Sequence, residues 1–367
     1  MKVAYFVGSL NRGGAEMLLL DICRKKDIAP YEMMLIYRND GDLTDEFKTT
    51  GVPMFRMKPK GLRIGYLMQL RKLLLKEKVD VLHAQTLTNG VIGVYATLFS
   101  SIRKVTSFHG FYGGRIMDIS RNIVMRNADS MIFVSRYLQE WYASHSAFCP
   151  KQRCNVVYNG VNFDKLDLEY PTPDFLKDKN ANDRVQLVMV GNFVSGRSQI
   201  VICKSIKLLV DQGVRNFNFY FVGKRVDAES KRYDECFEYC KEHNLMDWVH
   251  FLGSRGDVPA ILQNVDGFVY STNHDSFGIA LVEALASGLP VLVNDWKVMQ
   301  EIIQDKEWAT FFRSKDEKDC CEKMKQLIDN IDYRKQLAQS KKEEVRKAYS
   351  IEKHIENLTK VYEQVLQ

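Results

Sequence analysis

The sequence predicts an α/β protein built from two Rossmann-like domains in tandem. Three observations lead there. Apolar runs of strand length alternate with segments of helical periodicity from the first residue onward. The strand-length runs are apolar throughout rather than at every second residue, as parallel strands covered on both faces require. The alternation breaks only at one polar stretch with two prolines, and then restarts.

The elements follow in order. KVAYFVG is the first strand, and residues 15–25 form a helix. The strand EMMLIYR, a short helix over 44–50 and the strand VPMFRM come next. A helix over 65–77 leads to the strand VDVLHA, and a helix over 89–99 to KVTSFHG. A helix near 118–127, the strand SMIFVS, a helix over 136–142 and the strand CNVVYNG close the first series. DKLDLEYPTPDFLKDKNANDR then interrupts the pattern. This sets a first domain over 1–165, a linker over 166–184 and a second domain over 185–350. The second series reads VQLVMVGNF, a helix over 197–211, NFNFYFVG, a helix over 228–243, VHFLGS, a helix over 257–263, GFVYS, a helix over 277–287 and PVLVND. Helices over 316–348 and 351–367 end the chain.

Composition narrows the function. A formal charge of +6 from 52 basic and 46 acidic residues suits anionic ligands or an anionic membrane surface, but is too diffuse to argue for nucleic acid. The 8 cysteines form no zinc pattern and no disulfide framework, which points to a reducing compartment. The first apolar run is too short for a signal peptide, and no run approaches the ~20 apolar residues of a membrane span. The expectation is a cytoplasmic protein, at most peripheral to the membrane. The stretch MKPKGLRIGYLMQLRKLLLKEK sets Leu67, Leu70 and Leu74 beside Arg71, Lys72, Lys76 and Lys78, a pattern that can rest on anionic lipid. The competing reading is an ordinary surface helix with solvated lysines.

The segment HDSFGIALVEALASGLPVLV carries the most chemistry. Asp275 lies in the loop after the strand VDGFVYS, and Glu283 lies in the helix that follows. Gly288 and Pro290 end that helix. Between the two carboxylates, the first-turn N–H groups of Gly278, Ile279 and Ala280 have no intrahelical acceptor, which makes an anion site suited to phosphate. A phosphate site flanked by two hydroxyl acceptors fits a nucleotide-sugar, with one carboxylate on the ribose hydroxyls and the other on the sugar hydroxyls.

This segment resembles the E-x7-E region of retaining glycosyltransferases of the GT-B fold, family four, whose pattern is roughly E-x-F-G-[IL]-x-x-x-E-A-x-A-x-G-x-P-V. Phe277, Gly278, Glu283, Ala284, Ala286, Gly288, Pro290 and Val291 match, while Asp275 stands in place of the first Glu. The resemblance extends over nearly the whole chain, to NRGGAE, SFHG and VVYNGVNFDKL. It implies two Rossmann-like domains facing a central cleft, with the last helix crossing back onto the first domain.

The same resemblance assigns roles. Gly13 and Gly14 would close over the donor, and Glu16 would touch the acceptor. His109 and Asp275 would bond the donor sugar, and Glu283 the ribose. The family places an Arg directly after the second domain's first strand and a Lys about five residues later, both on the diphosphate. Asn192 replaces the first here and Arg197 fills the second. Gly223, Lys224 and Arg255 fall where the nucleobase is held. Lys297 and Val298 stand where the family often has two glycines. Catalysis would rest on His109, Asp275 and Arg197, and donor binding would add Phe277, Gly278, Ile279, Ala280 and Glu283. The reaction implied is retaining transfer from a nucleotide diphosphate sugar to a glycan or lipid-linked acceptor, with no metal and no cofactor. Two alternatives stay open: a non-catalytic nucleotide-sugar-binding partner subunit, and another GT-B enzyme such as an epimerase.

Overall fold

A computed structural model describes residues 1–58, 63–177 and 184–367. The chain divides into two compact units. One comprises Met1–Asn162 with Tyr349–Gln367, the other Phe163–Ala348.

The first unit runs β1 (Lys2–Ser9), α1 (Gly14–Arg24), β2 (Glu32–Asn39), α2 (Thr44–Thr49), β3 (Met54–Arg56), α3 (Arg63–Lys76), β4 (Val81–Ala84), α4 (Leu87–Ala96), β5 (Arg103–Phe108), α5 (Arg115–Asn127), β6 (Ser130–Phe133), α6 (Arg136–His145) and β7 (Cys154–Val156). Its sheet is parallel, in the order β3-β2-β1-β4-β5-β6-β7. The second unit runs α7 (Asp164–Asp167), β8 (Val185–Val190), α8 (Gln199–Asp211), β9 (Phe217–Val222), α9 (Lys231–Glu242), β10 (Val249–Gly253), α10 (Val258–Asn264), β11 (Gly267–Tyr270), α11 (Ile279–Ala286), β12 (Val291–Asn294), α12 (Lys297–Ile302), β13 (Thr310–Phe312), α13 (Glu317–Asp329) and α14 (Ile331–Tyr349). Its sheet, also parallel, has the order β10-β9-β8-β11-β12-β13.

In both sheets the strand order reverses at one place, between β1 and β4 and between β8 and β11. Crevices outside the carboxyl ends of strands at such reversals are where open α/β sheets bind ligands. The segments that leave β1 and β4, and β8 and β11, therefore position any site.

The last helix, α15 (Ile351–Leu366), returns to the first unit. Ile351, Ile355, Leu358 and Tyr362 recur at helical spacing and enter one core with Tyr5, Leu19, Ile22 and Leu35. Ser350 caps the helix by accepting the Lys353 N–H at 3.0 Å.

Several expectations are corrected. The single helix over 316–348 is two helices, broken at Asn330, whose side chain donates back to Gln326 O at 2.9 Å. The short edge strand β13 and the helix α12 lie where no element was expected. The linker region contains α7 and a 3-10 turn over Asp174–Leu176 and belongs to the second unit; its residues 178–183 lie outside those described. In α3, Leu70 and Leu74 are fully buried against β1 and β2 rather than available to lipid. Arg71 is also engaged, donating to the carbonyls of Ala96, Leu98 and Phe99. Residues 59–62 of the basic stretch lie outside the described chain.

Candidate active site

The second unit gathers its polar groups at the β8/β11 reversal. The loop after β8 pairs with the segment after β11, where Ser198 N donates to Ser271 O at 3.1 Å and Asn273 N to Gly196 O at 2.6 Å. Gly196 adopts φ +98 there against the His274 side chain, a conformation suited to glycine. This pairing brings Arg197 to Asp275. Arg197 Nη1 donates to Asp275 Oδ2 at 2.7 Å and to Thr272 Oγ1 at 3.1 Å, and the guanidinium lies 5.1 Å from the Tyr270 ring centroid. Tyr270 Oη also donates to Asp275 Oδ2, at 2.7 Å. Burial pushes the Tyr270 hydroxyl far above its usual range, so it remains a donor. The sequence reading placed Asp275 on the sugar and Arg197 on the diphosphate; the structure joins them as an ion pair. Arg197 keeps its Nε–H buried and, among the described residues, without an acceptor, and that atom faces Gly191. A buried orphan donor on a guanidinium suits an anionic oxygen.

Helix α11 starts beside this pair. Gly278 is its N-cap, in the left-handed region at φ +92 and ψ 62, and a Cβ there would meet Met299 Cε at 3.3 Å. The first-turn N–H groups follow at Ile279 and Ala280. The carboxyl end of α11 is well satisfied: Arg346 Nε donates to Ala286 O at 2.9 Å, and Gly288 closes the helix at φ +76. Glu283 is half-buried, one turn into the helix. The Phe277 side chain is core, so only its backbone can meet a ligand.

The other residues expected at the donor have the following partners in the structure. Asn192 Oδ1 accepts the Lys224 N–H at 2.9 Å, tying the loop after β8 to the loop after β9. Gly223 packs so closely that a Cβ would fall 2.1 Å from Gly191 O. Arg255 forms a bidentate pair with Asp257 at 2.8 and 2.6 Å, within its own loop. Lys224 is exposed. In place of the family's two glycines, Lys297 opens α12, Val298 is buried, and the preceding Trp296 donates its Nε1–H to Asp275 O at 3.1 Å.

At the first unit's reversal the segment leaving β1 carries an exposed ion pair, Arg12 Nη2 to Glu46 Oε1 at 2.6 Å. Gly13 is the extended N-cap of α1, with Gly14 the helix's first residue, and the Glu16 carboxylate folds back against Gly13. Burial raises the Glu16 pKa. His109, just past β5, has Nε2 3.1 Å from Gln85 Oε1. Burial and the nearby His354 push its pKa down to about 4, so the ring is neutral at pH 7. One rung below, His83 lies between Ser107 Oγ at 2.7 Å and Tyr362 Oη at 2.6 Å, and Tyr362 reaches Tyr5 Oη at 3.2 Å. The sequence reading missed Gln85, His83, Tyr270, Thr272 and Trp296. The available signal for the first four was their position at or near the carboxyl ends of apolar strands.

Among the described residues, no group of three or more His, Cys, Asp or Glu could hold a metal ion, and no helix is long and apolar enough to cross a membrane. The profile described as Glycosyltransferase Family 4 matches residues 12–165, and that described as Glycosyl transferases group 1 matches residues 173–344. The chain belongs to the family-four glycosyltransferases. Its fold is GT-B. The chain is 26% identical over 286 residues to the UDP-Gal:α-D-GlcNAc-diphosphoundecaprenol α-1,3-galactosyltransferase of Escherichia coli, covering 72% of each. It is 21% identical over 327 residues to the O-antigen biosynthesis glycosyltransferase WclY of Escherichia coli, covering 85% of this chain and 84% of that one. The crystal structure of Anabaena HepE in complex with UDP and glucose superposes with a TM-score of 0.81 at 17% identity, over 100% of this chain and 98% of the other.

Proposed function

We propose that this glycosyltransferase moves a hexose, with retention of anomeric configuration, from a uridine diphosphate sugar to a lipid-linked glycan in the synthesis of a surface polysaccharide. The observation that carries the reading is Arg197, with its buried orphan Nε–H, beside the first turn of α11 at the β8/β11 reversal. Charge grows on the diphosphate as the C1–oxygen bond breaks, and pre-placed donors lower that barrier. The acceptor hydroxyl attacks from the face that the diphosphate leaves and passes its proton to a phosphate oxygen. These positive groups take the role of a metal, so the reaction is metal-independent and needs no cofactor. The HepE complex with UDP and the galactosyltransferase named for UDP-Gal support the uridine donor. His109 hydrogen-bonds the donor sugar and Glu16 faces the acceptor.

A lipid-linked acceptor places the enzyme at the cytoplasmic membrane face. The outer side of α3 fits that setting. Ile64 and Met68 are 69% and 66% exposed, and Phe99, whose carbonyl accepts from Arg71 of the same helix, is 99% exposed at φ +57. No Asp or Glu occurs in α3. Apolar groups on an acid-free basic face suit anionic lipid.

The test is incubation with UDP-hexoses and a polyprenyl diphosphate-linked sugar in excess EDTA, with product anomers assigned by NMR. An α-linked product from an α-donor is expected. An inverted product would overturn retention, and activity restored only by magnesium or manganese would overturn metal independence. The Arg197–Asp275 pairing and the Asn192 tether favour one rival, a binding subunit without activity. Donor hydrolysis by the purified protein decides against that rival.

A further inference from the structure

We infer that Asp275 is a positioning residue for Arg197, acting on the donor's diphosphate through the guanidinium rather than on the sugar. The inference rests on the donor site proposed above. Asp275 Oδ2 already accepts from Arg197 Nη1 and from Tyr270 Oη, both at 2.7 Å, which fills its two in-plane lone-pair directions. Oδ1 sits 3.5 Å from Phe277 N, a long contact that keeps the carboxylate turned toward the start of α11. The main chain is held as well, since Trp296 Nε1 donates to Asp275 O at 3.1 Å. The carboxylate is therefore held through Oδ2 by two donors, and its backbone by Trp296, which fixes it against Arg197.

Arg197 is gripped in turn. Its Nη1 is shared between Asp275 and Thr272, and Thr272 Oγ1 itself donates to Gly196 O at 2.9 Å. The Tyr270 ring lies under the guanidinium. One edge of the fork is thus fixed, while Nε–H on the other side stays buried and, among the described residues, unpaired beside Gly191. A planar guanidinium held at one end presents its remaining donors in a set direction. That orientation is the contribution of Asp275. The substitution of Asp for the family's Glu shortens the side chain by one methylene, so the carboxylate stays close to its own loop and meets Arg197 at ion-pair distance.

A double-mutant cycle tests this by calorimetry with UDP and UDP-glucose. Asp275→Asn keeps the size and one acceptor oxygen but removes the charge that orients Arg197. We expect it to weaken UDP and UDP-glucose by the same factor, about fivefold or more, and to change neither further in an Arg197→Ala background. A loss confined to UDP-glucose would show direct contact with the sugar and overturn the inference. So would tighter UDP binding by Asp275→Asn, or penalties that simply add in the double variant. Asp275→Ser, which also removes the charge, runs the same cycle if Asp275→Asn does not fold. Failure of the wild-type protein to bind UDP would overturn the donor-site reading and this inference with it, whereas wild-type binding with additive penalties overturns this inference alone.

Discussion

The two units build the ends of their central strands from different materials. In the second unit, charged groups meet in pairs: Arg197 with Asp275, Arg255 with Asp257, and Arg225 with Asp234 through two contacts of 2.9 Å. In the first, the groups at the ends of β4 and β5 are neutral hydrogen bonders, and the one pair of this kind after β1 among the described residues, Arg12 with Glu46, lies exposed. His109, His83 and His354 all have depressed pKa values, with burial as the main cause. Under the proposed function, the difference matches what each kind of recognition needs. A diphosphate needs positive charge held still, and a partner carboxylate holds it. A sugar hydroxyl needs donors and acceptors without net charge, which a buried imidazole supplies.

The largest break in that comparison comes from Arg197→Ala. Losing the pre-placed charge should lower kcat by about 10²-fold or more, while Lys204→Ala on the exposed side of α8 stays nearly silent. Steady-state kinetics on both variants gives the ratio, and equal effects would show that the loop after β8 is misassigned. Glu283→Ala comes next. A hydrogen bond from ribose to a carboxylate is worth ~1.5–3 kcal/mol, so UDP affinity should fall by about 10- to 100-fold. Unchanged affinity in a folded variant would remove Glu283 from the ribose.

On the neutral side, Tyr362→Phe leaves His83 Nδ1 without its partner in a fully buried place. The cost should be about 1–3 kcal/mol of stability, read as a lower denaturation midpoint at unchanged slope. The pH dependence is gentler. His109 and His354 have folded pKa values of about 4, below the ordinary histidine value. Above pH ~6.5 both states are unprotonated and these residues contribute no slope. Between pH ~6.5 and 4 the unfolded chain takes up protons that the native one refuses, so stability falls as pH falls, by at most ~1.4 kcal/mol per unit for each histidine. Urea titrations at pH 7.5 and 5 should show the loss, and His354→Gln should flatten it. A rise in stability toward pH 5 carried by these histidines would contradict their neutral burial.

The sequence made the scaffold legible because its signals are local. Strand runs, helix periodicity and Gly288 with Pro290 each announce an element within a few residues. The missed elements had weak local signals: β13 is three residues on a sheet edge, and Asn330 breaks what reads as one continuous helical pattern. The site was legible as positions but not as partnerships. Arg197 and Asp275 are 78 residues apart and meet only because β8 and β11 lie side by side. His83 and Tyr362 are 279 apart and meet only because the last helix returns to the first unit. Asn192 looked like a lost cation, and its tie to the Lys224 backbone needs the strand order to be seen.

The central claim is that fixed positive charge for a diphosphate sits at the β8/β11 reversal. Calorimetric titration of the wild-type protein with UDP and UMP tests it most directly. The account predicts that UDP binds at least about tenfold more tightly than UMP, because the second phosphate reaches the α11 start and Arg197. Equal affinities, or no binding of either nucleotide, would contradict it.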